Sequence, residues 1–208
     1  MGYRLYTRPG SGGFVVEVAF AMAGVPVEKI DVTRAEQKPG GTFREINPVG
    51  QVPALILPDG RLMTESAAIC LYLAEQYPLR GIGPVAGSSE RPDFLRWMLF
   101  LASAHYPTLL RFYYPDRRTT DAGGIDAVKQ AAVAESEQLF EVVENHLAGR
   151  QWLVGDTMTI ADVYLAMLAY WLPPDDRPRA VWTNIIALSN RVARDATVAE
   201  LNKTHKIW

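Results

Sequence analysis

The segment NPVGQVPALILPDGRLMTES, residues 47–66, holds two short apolar runs, with a proline before the first and a turn signal between them. Proline has no N–H for a sheet ladder, so Pro53 is expected at the first residue of a strand or at a sheet edge. Asp59-Gly60 is a strong hairpin signal. Glu65 and Ser66 then fall at the start of a helix, where backbone N–H groups lack intrahelical partners. The segment predicts a β-hairpin that leads into a helix and places a carboxylate and a hydroxyl beside N–H donors.

The elements around this hairpin alternate between strand and helix patterns. Short strands are predicted at residues 2–6 and 27–32. Between them, residues 14–23 are apolar nearly all round, which is typical of a helix buried on more than one side. After the hairpin, residues 65–76 have apolar positions at helical spacing. This order indicates a mixed sheet with helices packed against it.

A segment rich in proline, glycine and serine, PLRGIGPVAGSSE, separates this part from the rest of the chain. Such a composition is typical of a linker. We therefore expect an α/β domain at residues 1–78, a linker at 79–90 and an all-helical domain at 91–208. Pro107 is expected to bend the first helix of that domain, and Pro173-Pro174 to end the third. Its helices are predicted at residues 92–114, 122–147, 159–171 and 181–194, with a short last turn.

The composition limits the classes of function. The chain has 208 residues, 49% hydrophobic and 21% charged, and a net charge of −2 without a run of Lys or Arg. A nucleic-acid surface is therefore not expected, and the absence of a long apolar run argues against a transmembrane helix or a signal peptide. Cys70 is the single cysteine, and three scattered histidines show no metal-ligand spacing. The default expectations are a cytoplasmic location, no metal, no membrane partner and an inert Cys70 in the core.

The four residues TIAD at 159–162 form a capping box. Thr159 can accept a hydrogen bond from the N–H of Asp162, and Asp162 can accept one from the N–H of Thr159. This pattern indicates a structural role for both residues at the start of a helix.

These motifs together resemble those of the glutathione S-transferases. The resemblance is carried by NPVGQVPAL, TESAAICLYLAE and GDTMTIAD in this order, and it extends from residue 3 to about residue 200. The stretch INPVGQVPAL is most similar to the bacterial branches of the family. The resemblance implies a thioredoxin-like domain joined to an all-α domain, usually paired as a homodimer. It also implies glutathione as the co-substrate.

The resemblance assigns the opening segment to glutathione binding. In the family, the bond that corresponds to Val52–Pro53 is cis, and the backbone before the proline pairs with the cysteinyl part of glutathione. Glu65 and Ser66 match the pair that holds the γ-glutamyl end. An α-carboxylate is favoured at a helix N-terminus, and the Glu65 carboxylate suits an α-ammonium. The further candidates are Gln51 for that end and Lys38 for the glycine carboxylate.

The family's chemistry needs a thiolate, whereas a free thiol with a pKa of about 8.5 is mostly protonated at neutral pH. Lowering that pKa to about 7 takes roughly 2 kcal/mol, which one hydrogen bond to a charged acceptor supplies. Ser11 is the predicted donor, because YTRPGS resembles the turn of the serine-using classes. Thr7 and Tyr6 are the alternatives, although Tyr6 should point to the opposite face of the strand. Gly12 stands where the beta-type classes have a cysteine, so thiol–disulfide chemistry is not expected.

The stretch HYPTLLRFYYP, residues 105–115, is a candidate wall for a pocket that takes an apolar electrophile, although such stripes also form helical cores. A histidine in this place also matches one near the site in beta-type members. The leading hypothesis is detoxifying conjugation of glutathione to small hydrophobic electrophiles. The alternatives are glutathione-dependent reduction or isomerisation, and a non-catalytic binding protein of the same fold. The pocket candidates are His105, Tyr106, Leu109 and Tyr113.

Overall fold

The structure is a computed structural model that describes residues 2–172 and 181–208. It divides into two compact units. The first comprises Met1–Ser88 together with Asp195–Trp208, and the second comprises Ser89–Arg194. The end of the chain therefore belongs with the α/β unit, whereas the predicted boundaries assigned it to the helical domain.

A four-stranded mixed sheet forms the centre of the first unit. Its order is β2-β1-β3-β4, with β1 parallel to β2 and β3 antiparallel to both β1 and β4. The Asp59-Gly60 turn joins β3 to β4, with Gly60 at φ 89°, which confirms the predicted hairpin. The strands are β1 Tyr3–Thr7, β2 Val27–Asp31, β3 Ala54–Ile56 and β4 Leu62–Thr64.

Helix α1, Gly13–Ala23, provides the crossover that the parallel β1–β2 pair requires. It is buried from Gly13 to Phe20, as its apolar pattern predicts, and it ends at Gly24 in a left-handed conformation. Helix α2, Ser66–Gln76, follows the hairpin directly, and a 3₁₀ turn occupies Thr42–Glu45. The largest fully buried side chains of this unit include Phe14, Phe20, Leu5, Leu55, Ile69 and Leu73.

Among the residues of the second unit that the structure describes, every regular element is a helix. The predicted single helix over residues 92–114 is instead interrupted by a π-helical stretch, Phe100–His105. Pro107 lies in the first turn of α4, directly after this stretch. The stop predicted at Pro173-Pro174 lies outside the described residues. The helices are α3 Arg91–Leu99, α4 Tyr106–Tyr113, α5 Ile125–His146, α6 Ile160–Tyr170 and α7 Thr183–Arg194.

The last helix, α8 Ala196–His205, corrects the prediction of only a short terminal turn. Asp195 caps it by accepting from the N–H groups of Thr197 and Val198. Its buried residues are Val198, Asn202 and His205, and two of these are polar. Hydrophobic periodicity therefore could not reveal this helix. In the part of the chain that the structure describes, no helix is long and apolar enough to cross a bilayer.

The predicted capping box is present at the start of α6. Asp162 is fully buried, and its Oδ2 accepts from the N–H and Oγ1 of Thr159 at 2.7 and 3.0 Å. Its Oδ1 accepts from the N–H of Leu153 at 2.8 Å, so the carboxylate also ties the preceding loop to the helix. Burial raises the pKa of Asp162 to about 6, although these hydrogen bonds act in the opposite direction.

Replacing Asp162 with alanine should lower the free energy of unfolding by about 2–4 kcal/mol, since the buried N–H groups of Leu153 and Thr159 lose their acceptor. Urea unfolding of the whole chain measures the effect. Asp156→Ala is the matched control, because Asp156 is an exposed acid in the same loop. Equal stability of the two variants would contradict this role of Asp162.

The pKa of Asp162 also predicts the pH dependence of its contribution. Its folded-state pKa of about 6 lies above the ordinary value of 3.8, so the folded state binds this proton more tightly than the unfolded state. The resulting stabilisation is full below about pH 4 and is lost as the pH rises through about 6. The stability of the wild type relative to Asp162→Asn should therefore fall over that range. Unfolding experiments at about pH 4 and above about pH 6 measure this difference in stability between the two proteins. A difference that is equal at the two pH values would contradict the raised pKa of Asp162.

Candidate functional site

The end of β1, the start of β3 and the end of β4 lie at the same end of the sheet. Tyr6 of β1 is opposite Ala54 of β3, and Ala54 is in turn opposite Thr64 of β4. The chain leaves β1 after Thr7, enters β3 just after Pro53, and leaves β4 just before α2. The register therefore brings the β1–α1 turn, the segment before β3 and the start of α2 to the same end of the sheet.

The segment before β3 has a fixed backbone. The Val52–Pro53 peptide bond is cis, as the family resemblance implies. Pro53 is buried and Val52 is half-buried, whereas the side chain of Gln51 is exposed. Buried Asn47 holds this loop, because its Nδ2 donates to the Gln51 carbonyl at 2.8 Å and its Oδ1 accepts from the N–H of Val49 at 3.2 Å. Asn47 was not among the predicted site residues, although asparagine before Pro-Val-Gly is a turn signal.

The residue before α2 has a strained backbone, and the helix begins at Ser66. Glu65 precedes the helix at φ 66° and ψ 107°, a conformation that costs a non-glycine residue about 1–3 kcal/mol and is typical of functional sites. Its side chain is exposed and makes no capping hydrogen bond, while Ser66 is buried at the first helical position. This helix start can therefore receive an anionic group. Lys38 lies in the loop after β2 with its side chain exposed.

Ser11 lies in the turn between β1 and α1 and is 6% exposed. Its hydroxyl donates to the Arg8 carbonyl at 2.5 Å and accepts from the N–H of Gly13 at 3.2 Å. The proton is thus directed into the turn. Because a hydroxyl hydrogen rotates freely, the same oxygen can donate to another acceptor while it still accepts from Gly13.

The two alternative hydroxyls are less available than Ser11. Thr7 is 1% exposed, and its Oγ1 donates to Glu17 Oε1 at 3.0 Å, so its one proton is committed to a carboxylate. Tyr6 points to the other face of β1, where its ring packs against Phe43 at 5.7 Å between centroids. This geometry favours Ser11 among the three candidates.

A buried carboxylate that was not among the predicted site residues lies close to this turn. Glu17, in the middle of α1, is 4% exposed. Besides Thr7, it accepts from His205 Nε2 at 2.9 Å and from Lys29 Nζ at 3.1 Å. Burial alone would raise the pKa of Glu17, but the hydrogen bonds and charges of His205 and Lys29 hold it below its ordinary value. The one signal in the sequence is an acid inside an apolar helix, GFVVEVAFAMA.

His105, a predicted pocket residue, lies in the core of the second unit. It is fully buried, its Nε2 is 3.1 Å from Ser136 Oγ, and its ring packs edge-on against Phe140 at 3.8 Å. Burial lowers the pKa of His105 to about 3, which keeps the ring neutral near pH 7. The geometry therefore favours a packing role for His105 over the predicted pocket role.

The other pocket candidates differ in exposure. Leu109 is 2% exposed and belongs to the core. Tyr106 is half-buried, with its ring centroid 6.3 Å from that of Tyr164 and 5.6 Å from that of Trp171. Tyr113 is 48% exposed, and its hydroxyl donates to the Trp171 carbonyl at 2.9 Å. Tyr106 and Tyr113 are thus the members of the set that a small molecule can reach.

The structure also describes a surface cleft and a buried cysteine outside the predicted glutathione contacts. A surface cleft of about 530 Å³ in the second unit is lined by residues 148–151, Gly155 and Asp156, none of which was predicted to bind glutathione. Cys70 is buried, and burial raises the pKa of its thiol, which agrees with an inert core position. Within residues 2–172 and 181–208, no group of three His, Cys, Asp or Glu side chains could hold a metal ion.

Comparison with known proteins identifies the family. The sequence family described as "Glutathione S-transferase, N-terminal domain" matches residues 5–83, and "Glutathione S-transferase, C-terminal domain" matches residues 100–194. Glutathione S-transferase GST-4.5 of Xanthomonas campestris is 32% identical over 168 residues, 81% of each chain. The uncharacterized GST-like protein YncG of Escherichia coli is 29% identical over 208 residues, 98% of each chain. Elongation factor 1-gamma 2 of Oryza sativa is 28% identical over 80% of this chain and 40% of its own.

Solved structures of glutathione transferases are similar to this structure over nearly the whole chain. A glutathione transferase from Methylococcus capsulatus has a TM-score of 0.86 and 29% identity, with 99% of this chain and 100% of the other covered. A sphingomonad glutathione S-transferase in complex with glutathione has a TM-score of 0.83 and 28% identity, with the same coverage. Their fold is the thioredoxin-like unit with an all-α unit that the sequence predicts. The chain therefore belongs to the glutathione S-transferase family.

Proposed function

We propose that this chain is a glutathione transferase that conjugates the glutathione thiolate to small hydrophobic electrophiles. The observation that carries the proposal is the sheet register, which brings the Ser11 turn, the cis Val52–Pro53 segment and the start of α2 to one end of the sheet. The sphingomonad relative that was crystallised with glutathione supports glutathione as the ligand.

The backbone and side chains at this sheet end match the groups of the tripeptide. The Val52 backbone pairs with the cysteinyl unit in the manner of an added strand. The N–H groups at Ser66 hold the γ-glutamyl carboxylate, while Glu65 and Gln51 hold its ammonium group. Lys38, on a loop with an exposed side chain, takes the glycine carboxylate.

Ser11 supplies the hydrogen bond that favours the thiolate. Stabilising the thiolate by about 2 kcal/mol brings the thiol pKa from about 8.5 to about 7. The sulfur lone pair then forms a carbon–sulfur bond to the electrophile, the leaving group departs with its electron pair, and the thiol proton is released to solvent. Tyr106 and Tyr113 are the proposed contacts for the electrophile. The expected setting is a cytoplasmic homodimer that detoxifies such compounds.

A non-catalytic protein that binds glutathione or other partners is the second candidate. Two observations favour it. The first is that the Ser11 hydroxyl donates to the Arg8 carbonyl at 2.5 Å. The second is that a relative whose similarity covers 80% of this chain is called an elongation factor. Glutathione-dependent reduction or isomerisation would use the same first site, but Gly12 stands where a thiol–disulfide mechanism would need a cysteine.

Ser11→Ala should lower kcat/KM for conjugation of a chromogenic aryl halide by about 10- to 100-fold, since roughly 2 kcal/mol of thiolate stabilisation is lost. Glutathione affinity should change little. The matched control is Ser103→Ala, which removes an exposed serine that donates to the Leu99 carbonyl in the other unit. Full activity of Ser11→Ala would show that another residue activates the thiol. A wild-type chain that binds glutathione without turnover would favour the second candidate.

Glu65→Gln should weaken glutathione binding by about tenfold or more, because a charge-assisted hydrogen bond to the ammonium group is lost. Titration calorimetry with glutathione measures the dissociation constant. Glu75→Gln, an exposed acid near the other end of α2, is the control and should leave affinity unchanged. If both variants bind as the wild type does, the γ-glutamyl end is held elsewhere.

A further inference from the structure

We propose that Glu17 and His205 are positioning residues for the Ser11 turn, so that the last helix of the chain supports the thiol-activating half of the site. The proposal deepens the proposed function and rests on it for the role of Ser11. Neither residue belongs to the turn or to the proposed glutathione contacts, and both lie within the first unit.

The C-terminal end of α8 packs against the elements that flank the turn. The His205 ring lies 5.1 Å from the Phe14 ring, and the Trp208 ring meets the same phenyl edge-on at 5.6 Å. A Cβ on Gly10 would lie 3.6 Å from the His205 carbonyl oxygen, which is ordinary van der Waals contact. The end of α8 therefore packs against Phe14 in the first turn of α1 and lies close to Gly10 of the turn.

Asn202 holds the residues that follow α8 through two hydrogen bonds. Asn202 Nδ2 donates to the Trp208 carbonyl at 3.1 Å, and its Oδ1 accepts from the N–H of Ile207 at 2.7 Å. Asn202 is itself 8% exposed. The C-terminal residues are thus folded back on α8, and His205 is held in place from its own element.

The Glu17 carboxylate connects four elements through hydrogen bonds. It lies on α1 and accepts from Thr7 at the end of β1, Lys29 on β2 and His205 on α8. His205 Nε2 must be the donor, since an ionised carboxylate can only accept. The His205 side chain is 2% exposed and that of Lys29 is 47% exposed, so His205 is the donor least weakened by solvent.

The Thr7 hydroxyl that donates to this carboxylate lies close to Gly13, and so does the Ser11 hydroxyl. A Cβ on Gly13 would lie 2.0 Å from Thr7 Oγ1 and 3.3 Å from Ser11 Oγ. The two hydroxyls therefore lie on the same side of Gly13, and α1 approaches β1 closely because residue 13 has no side chain. Glu17 fixes the position of the Thr7 hydroxyl and thereby the surface against which the Ser11 turn packs.

The donors on Glu17 also limit its effect on a bound thiolate. A nearby carboxylate raises the pKa of a thiol, because two like charges repel each other. Hydrogen bonds from His205 and Lys29 offset the charge of Glu17. Loss of the His205 donor should therefore both loosen the turn and make the thiolate less favourable.

The test compares three single variants of the full chain. His205→Phe keeps a ring but removes the N–H. His205→Gln keeps a donor for Glu17. One donor should be enough, because His205 Nδ1 has no hydrogen-bond partner among the described residues. His146→Phe is the matched control, since His146 Nε2 lies 2.8 Å from the Leu153 carbonyl in the second unit.

Two measurements are made on each variant. Amide hydrogen exchange of residues 10–14 is followed in the free protein, and the pKa of glutathione bound to the protein is read from the ultraviolet absorbance of its thiolate. His205→Phe should speed the exchange at least about threefold and raise the thiol pKa by about half a unit to one unit, with kcat/KM at neutral pH falling by up to about tenfold. His205→Gln and His146→Phe should match the wild type in both measurements.

Equal exchange in His205→Phe and His146→Phe overturns the proposal, whatever the activity of the chain. Faster exchange in His205→Phe with an unchanged thiol pKa overturns the link to thiol activation. If exchange is faster in His205→Phe but the wild type binds no glutathione, the positioning of the turn is supported. In that case only the proposed function is rejected. If His205→Phe does not fold, Glu17→Gln tests the same contact, and turn exchange equal to that of the wild type overturns the proposal.

Discussion

The antiparallel pairing of β3 with both β1 and β4 is the constraint on which the candidate site depends. Each strand is short, three to five residues, so the register rests on few hydrogen bonds and on the faces of the side chains. Leu5 and Leu55 are opposite each other and fully buried. A slip of one residue would turn these side chains to the other face of the sheet. The apolar core therefore fixes the register, and the register fixes where the three site segments lie.

The site end of the sheet carries features that packing alone does not require. Glu65 is held at φ 66° immediately before α2. Glu17 brings a buried charge to a helix whose other described positions are apolar or small, and it needs three donors to be tolerated. Strain and buried charge that persist in one place are typical of sites where function constrains the fold.

Local sequence signals predicted the elements whose determinants lie within a few residues. Proline before an apolar run, Asp59-Gly60 and the TIAD box correctly identified a strand start, a hairpin turn and a helix start. The helix α8 was missed because polar Asn202 and His205 share its buried face. The interruption at Phe100–His105 was also missed, because its residues continue an ordinary helical pattern.

The candidate site was predictable from the sequence where it consists of short motifs, and not where it depends on distant contacts. Val52–Pro53 and Glu65–Ser66 lie within one stretch of sequence, and the family resemblance assigned them a common ligand. Glu17 and His205 are 188 residues apart, and nothing near either residue indicates the other. His105 is a different case, because it belongs to an aromatic stretch that predicts a pocket wall and yet is fully buried against Ser136 and Phe140.

The most direct test of the glutathione site is a crystal structure of this chain with glutathione bound. We predict that the cysteinyl backbone pairs with Val52, that the γ-glutamyl carboxylate meets the N-terminus of α2, and that the sulfur lies within hydrogen-bonding distance of Ser11 Oγ. Glutathione bound away from this end of the sheet, or a sulfur directed away from the Ser11 turn, would contradict this prediction.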